Sequence, residues 1–136
     1  MTFANRKKLF NKIVSKYSKE MWIHEGDCGN DNRAYSYVLR REIVLPKEYF
    51  INPSEWAILV LLHEIGHIKT NTNKMKLYEK EFYATQWAAT EAQILQFNIK
   101  AEWKKAYQDY ILDKRQKYIN KIGKNIVSKE SLSVKW

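Results

Sequence analysis

Residues 63–67 read His-Glu-Ile-Gly-His and follow the apolar run Ile58-Leu59-Val60-Leu61-Leu62. On a helix, positions i and i+4 share a face, so His63 and His67 can present imidazole nitrogens to one metal ion. Glu64 lies beside the first of them, where its carboxylate can reach a water activated by that metal and take its proton. This is the HExxH arrangement of zinc hydrolases, chiefly peptidases. Gly66, inside the motif, costs helix stability of about 1 kcal/mol relative to Ala. Either a substrate or strand backbone passes close beside it, or two helices pack tightly there.

Two histidines do not complete a catalytic zinc site, which ordinarily has three protein ligands and one open position. The remaining candidates are His24, Cys28, Glu79, Glu81 and Glu91. Helical spacing over 77–95 puts Glu81 beside the apolar stripe, between Tyr78 and Thr85. An unpaired carboxylate there would be costly to bury and calls for a cation. Glu79 falls about two residues off the stripe and Glu91 near the far end of the helix. The spacing therefore favours Glu81, with Glu79 next. His24 and Tyr83 are candidates for a hydrogen bond to the developing oxyanion. Arg33, Arg40 and Arg41 suit either an acidic substrate side chain or a solvent-facing strand.

The elements that must position these residues are legible from periodicity. Phe3, Leu9, Phe10, Ile13, Val14 and Tyr17 have helical spacing over 3–17. Residues 25–33 (EGDCGNDNR) are dense in turn formers. Residues 21–23 and 34–45 are strand-like, the latter a bent strand or a pair broken near Arg40-Arg41. Asn52-Pro53-Ser54-Glu55 reads as a helix start with Asn52 as N-cap. The helix it opens runs to about residue 69 and is apolar nearly all round, which predicts a central buried helix. Two more helices are expected over 77–95 and 100–119. The fold class is α+β, a small antiparallel or mixed sheet over 21–45 packed with about four helices. Residues 1–136 are expected to form a single domain with a basic N-terminal helix (1–20) and a loose tail (120–136).

His63-Glu64-Ile65-Gly66-His67, followed fourteen residues later by Glu81-Phe82-Tyr83-Ala84, resembles the HExxH…ExxA pattern of gluzincin metallopeptidases. The small size, the sheet region before the motif helix and Trp87-Ala88 after the glutamate most resemble the ImmA/IrrE-type family of bacteria, phages and mobile elements. The resemblance spans about residues 35–112. It implies a zincin-like fold and Zn²⁺ on His63, His67 and Glu81. It also implies Glu64 as general base, in a cytoplasmic peptidase whose expected substrate is a DNA-binding repressor. The family often has Ala and Asp where this chain has Phe82 and Thr85, so a hydroxyl must stand in for a carboxylate at position 85. The family's helix-turn-helix partner is not in this chain.

Composition bounds these readings. Among 136 residues, 45 % are apolar and 14 % aromatic, enough for a core and against disorder. The single cysteine, Cys28, excludes an internal disulfide framework and fits a reducing compartment. No signal peptide and no membrane span are expected, so the cytoplasm is the default. The net charge of +9 is uneven: +5 over 1–20, −2 over 21–99 and +6 over 100–136. Such basic ends are either a solvated face of amphipathic helices or a contact for nucleic acid or an acidic protein. The alternative function is therefore a non-catalytic, zinc-containing binding module acting through its basic terminal helices. A third reading combines both: a mobile-element regulator with a basic dock and a protease centre.

Overall fold

The chain is described by a computed structural model covering residues 1–123 and 132–136. The N-terminal apolar spacing produces α1 (Phe3–Tyr17), capped by Thr2, whose hydroxyl accepts from the Asn5 N–H at 3.2 Å. Its buried face is Phe10, Ile13 and Tyr17. β1 (Trp22–Glu25), β2 (Tyr35–Tyr37) and β3 (Glu42–Leu45) form a mixed sheet of order β1-β3-β2. β1 is parallel to β3, with Ile23 opposite Ile43, and β2 is antiparallel to it, with Ser36 opposite the same residue. The strand-like stretch 34–45 is thus a pair, and the chain reverses through Arg41, whose φ is 50°. Central β3 buries Ile43 and Leu45, and β2 lies at an edge.

A short helix, α2 (Lys47–Ile51), follows Pro46 and has no counterpart in the sequence expectations. It changes the start of the next helix, α3 (Glu55–Thr70). Asn52 closes α2, its N–H bonded to the Glu48 carbonyl, so it is not the cap of α3. Ser54 takes that position and accepts from the Ala57 N–H at 3.0 Å. The Pro53 carbonyl accepts from Arg6 Nε at 2.9 Å and ties α1 to this corner. As its composition predicts, α3 is buried on most sides, with Ile58, Leu59, Leu61, Leu62 and Ile65 essentially inaccessible. Each such side chain stabilises the fold by roughly 1.5–3 kcal/mol.

α4 (Leu77–Ile94) lies along α3 with the small residues Ala84, Ala88 and Ala92 inward, and α5 (Ala101–Ile122) packs on α4. Glu91 of α4 is buried and satisfied: Lys16 Nζ lies 2.5 Å and Tyr17 Oη 2.8 Å from its carboxylate. That network anchors α1. The described part of the expected loose tail is ordered. α5 continues through Ile122, and residues 132–136 cross α4 and α5 with Leu132 and Val134 buried. Residues 124–131 fall outside the described part. Among the described residues no helix is long and apolar enough to cross a membrane.

The two central helices approach each other at Gly66. A Cβ there would run into the Ala84 backbone carbonyl, which cannot rotate away. Of the two readings of this glycine, the structure supports close helix packing. Gly66→Ala would gain about 1 kcal/mol of helix propensity but overpack the contact against a backbone carbonyl, at a cost of roughly 2–3 kcal/mol. The expected result is a net loss of about 1–2 kcal/mol in urea unfolding, with weakened zinc binding because Glu81 sits one turn before Ala84. A variant as stable as the parent would contradict this account of the packing.

Candidate metal centre

His63 and His67 lie one turn apart on α3, and the close passage of α4 brings Glu81 to them. His63 Nε2 is 2.9 Å from Glu81 Oε2, and His67 Nε2 is 3.4 Å from the same oxygen. The two Nε2 atoms are 3.1 Å apart. Four ligands at the ~2.0–2.1 Å bond lengths of zinc–nitrogen and zinc–oxygen coordination stand about 3.3–3.4 Å from one another. The three atoms already form one face of such a tetrahedron, and the residues fit a zinc ion.

Hydrogen bonds on the far side of each ring decide which nitrogen faces inward. His67 Nδ1 is 2.5 Å from Asn71 Oδ1. The Asn71 amide is oriented by its Nδ2, which donates to Thr70 Oγ1 and to the Lys80 carbonyl, both at 3.1 Å. Its oxygen must therefore accept from His67 Nδ1–H. Thr85 Oγ1 donates to the Glu81 carbonyl at 2.7 Å, which leaves its lone pairs for His63 Nδ1–H at 3.2 Å. Position 85 thus presents a hydroxyl oxygen to the outer nitrogen of His63. In the neutral rings both Nε2 lone pairs converge with a carboxylate, an arrangement that requires a cation between them.

In the metal-free protein the Glu81 carboxylate favours a proton on His67. Burial alone would raise the Glu81 pKa, but hydrogen bonds and charge from His63 and His67 hold it at about 2. Burial alone would lower that of His67, but Glu81, with Glu64 and Asn71, keeps it above its ordinary 6.5. The Glu81 contribution to metal-free stability is present above its ordinary 4.5 and lost as pH falls toward about 2. The His67 contribution is present below 6.5 and lost as pH rises through its raised value. Proton and metal therefore compete for one place.

The site opens into a cleft of about 620 Å³ between α3, α4, α5 and the β2 strand. Glu64 lines it and has no hydrogen-bond or ion-pair partner among the described residues. The Tyr107 ring lies 4.9 Å from that of His63 and 5.8 Å from that of Trp56. Burial, reinforced by the charges of Glu64 and Glu81, pushes the Tyr107 hydroxyl well up, so it keeps its proton. Burial also raises Tyr49, with further contributions from Cys28 and Glu64. Arg33 and Lys80 add positive charge to the lining.

Of the residues singled out in the sequence, the structure brings together His63, Glu64, His67 and Glu81. It does not bring His24 or Tyr83 to the cleft. His24 is stacked on Trp22, with Nε2 2.7 Å from Glu42, and Tyr83 packs against Phe82 on an exposed face of α4. The buried Cys28 thiol points to the Gly26 carbonyl at 3.6 Å. Glu79 accepts from the Lys76 N–H at 2.8 Å and caps α4. Arg33 lines the metal cleft, whereas Arg40 and Arg41 line a separate pocket near Trp22. Sequence reasoning missed Asn71, although its place four residues after His67, at the C-cap of the same helix, was a usable signal. Tyr107 and Tyr49 carried no signal, because each reaches the cleft from a distant segment. No family model, curated protein or solved structure matches this chain.

Two measurements check the geometry. Thr85→Val removes the acceptor for His63 Nδ1–H while keeping side-chain shape. Zinc affinity, read by competition with a chromophoric chelator, should fall roughly 10–100-fold with the fold intact. Independently, the zinc-induced rise in Tm should be larger at about pH 8 than at about pH 5, since acid protonates His67. A pH-independent shift would mean that zinc binds elsewhere.

Proposed function

We propose that this chain is a zinc-dependent peptidase of the HExxH gluzincin type, similar to the ImmA/IrrE family in its zincin-like arrangement. The observation that carries the reading is the convergence of three acceptor atoms, with both imidazole Nδ1 protons engaged outward, on a cleft where Glu64 stands unpaired. A purely structural zinc site would have a closed ligand set, whereas three protein ligands leave one position for water or substrate.

Nε2 of His63, Nε2 of His67 and the Glu81 carboxylate would hold the ion. Bound zinc supplies a Lewis acid that lowers the pKa of water toward ~7 and polarises a carbonyl. Glu64 accepts the water proton and returns it to the departing amine. Tyr107, protonated at any working pH, supplies a donor for the charge that develops on the carbonyl oxygen. Among the described residues β2 pairs only with β3, and Tyr35 and Ser36 of this strand line the cleft. An extended peptide can add to the sheet there and cross the metal site. The substrate class is a protein segment in extended form, with a DNA-binding repressor as the expected example and the cytoplasm as the expected compartment.

Glu64→Gln should retain stoichiometric zinc and lose cleavage of a peptide library, read by mass spectrometry, by at least about 10²-fold. His63→Ala should lose both. Cleavage that survives Glu64→Gln would overturn the mechanism. A folded protein that takes up no zinc would overturn the whole reading.

A further inference from the structure

Residues 132–136 (Leu-Ser-Val-Lys-Trp) lie across α4 and α5 and belong to no helix or strand themselves. Two side-chain amides bond their main chain. Gln86 of α4 donates from Nε2 to the Lys135 carbonyl at 2.9 Å and accepts from the Lys135 N–H at 2.8 Å. Gln108 of α5 donates to the Leu132 carbonyl at 2.8 Å and accepts from the Val134 N–H at 2.8 Å. Each glutamine offers one donor and one acceptor in a plane, matching the pattern that a neighbouring strand would present.

The side chains alternate as in a strand. Leu132 and Val134 are buried in a cluster with Tyr78, Ala89 and Ile111, while Ser133 and Lys135 are exposed. Trp136 packs against this cluster and against the main core. The groove therefore reads a main chain through amides, indifferent to sequence, and selects apolar residues at i and i+2 through pockets. These are the two parts of strand-type peptide recognition.

We infer that the α4–α5 groove is a binding site for an extended protein segment with apolar residues at i and i+2, occupied in cis by residues 132–136. A partner protein presenting the same pattern would exchange with this resident segment. The attached segment competes at an effective concentration on the order of millimolar, so a separate partner must bind more tightly or be locally abundant. Occupancy also touches the metal centre. Gln86 follows Thr85, which holds His63 Nδ1, and Gln108 follows Tyr107, whose ring lies against His63. The occupant braces α4 and α5 at these two neighbours. The inference stands whether or not the cleft hydrolyses peptides.

The test uses the full chain, isotope-labelled, with Leu132→Asp and Val134→Asp to vacate the groove. The probe is an N-acetylated peptide with the sequence of residues 132–136. Saturable shifts of the Gln86 and Gln108 side-chain amide signals are expected, with at least tenfold weaker binding to the unsubstituted chain. A peptide carrying Asp at the same two positions should cause none. Absence of saturable shifts in the variant, equal affinity for both chains, or an equal response to the Asp peptide overturns the inference. Should the substituted chain not fold, hydrogen exchange on the unsubstituted chain decides. The Val134 and Lys135 amides should exchange through a smaller opening than the α3 amides. Shared protection would make the segment a permanent part of the core and overturn its exchange.

Discussion

The closeness of α3 and α4 at Gly66 governs the centre of this molecule. Without a side chain at that position, the Ala84 backbone comes within a distance no Cβ would tolerate. Glu81, one turn earlier on α4, is thereby carried to 2.9 Å from His63 Nε2. The small inward residues Ala84, Ala88 and Ala92 keep the two helices near along their length. A larger residue on that seam would separate the carboxylate from the histidines. Backbone packing and ligand geometry are therefore one constraint.

Around the three converging atoms of His63, His67 and Glu81, the chain controls protons as carefully as positions. Thr85 and Asn71 hold the Nδ1 hydrogens of the two rings, and each is itself oriented by a backbone carbonyl of α4. The carbonyls are those of Lys80 and Glu81, so α4 also sets the tautomers of the histidines it faces. At position 85 the hydroxyl has one hydrogen bond to accept from His63, and burial between the two helices fixes its orientation.

The C-terminal residues show the same use of side chains in place of regular structure. Gln86 and Gln108 pair with the main chain of a segment that lies over two helices. Their neighbours in sequence, Thr85 and Tyr107, face His63. The groove and the cleft thus share α4 and α5 as walls, one on either side of adjacent residues.

Much of the centre was readable in one dimension because helical period relates residues that are near in sequence. His63, Glu64 and His67 follow from i, i+1, i+4 spacing, and the inward bias of Glu81 follows from its place beside the Tyr78–Thr85 stripe. The buried character of α3 was plain from its composition. Cap choice at Asn52 against Ser54 was not, since the short α2 that consumes Asn52 packs Tyr49 and Phe50 against the core and shows no strong local pattern. Nor could spacing tell that His24 would stack on Trp22 and bond Glu42, or that Tyr83 would face away. Those outcomes depend on the sheet order and on the rotation of α4. The order of residues settled which side chains can share one helical face. Only the packed chain settled which faces meet, because contacts between distant segments depend on shape and burial that local periodicity does not encode.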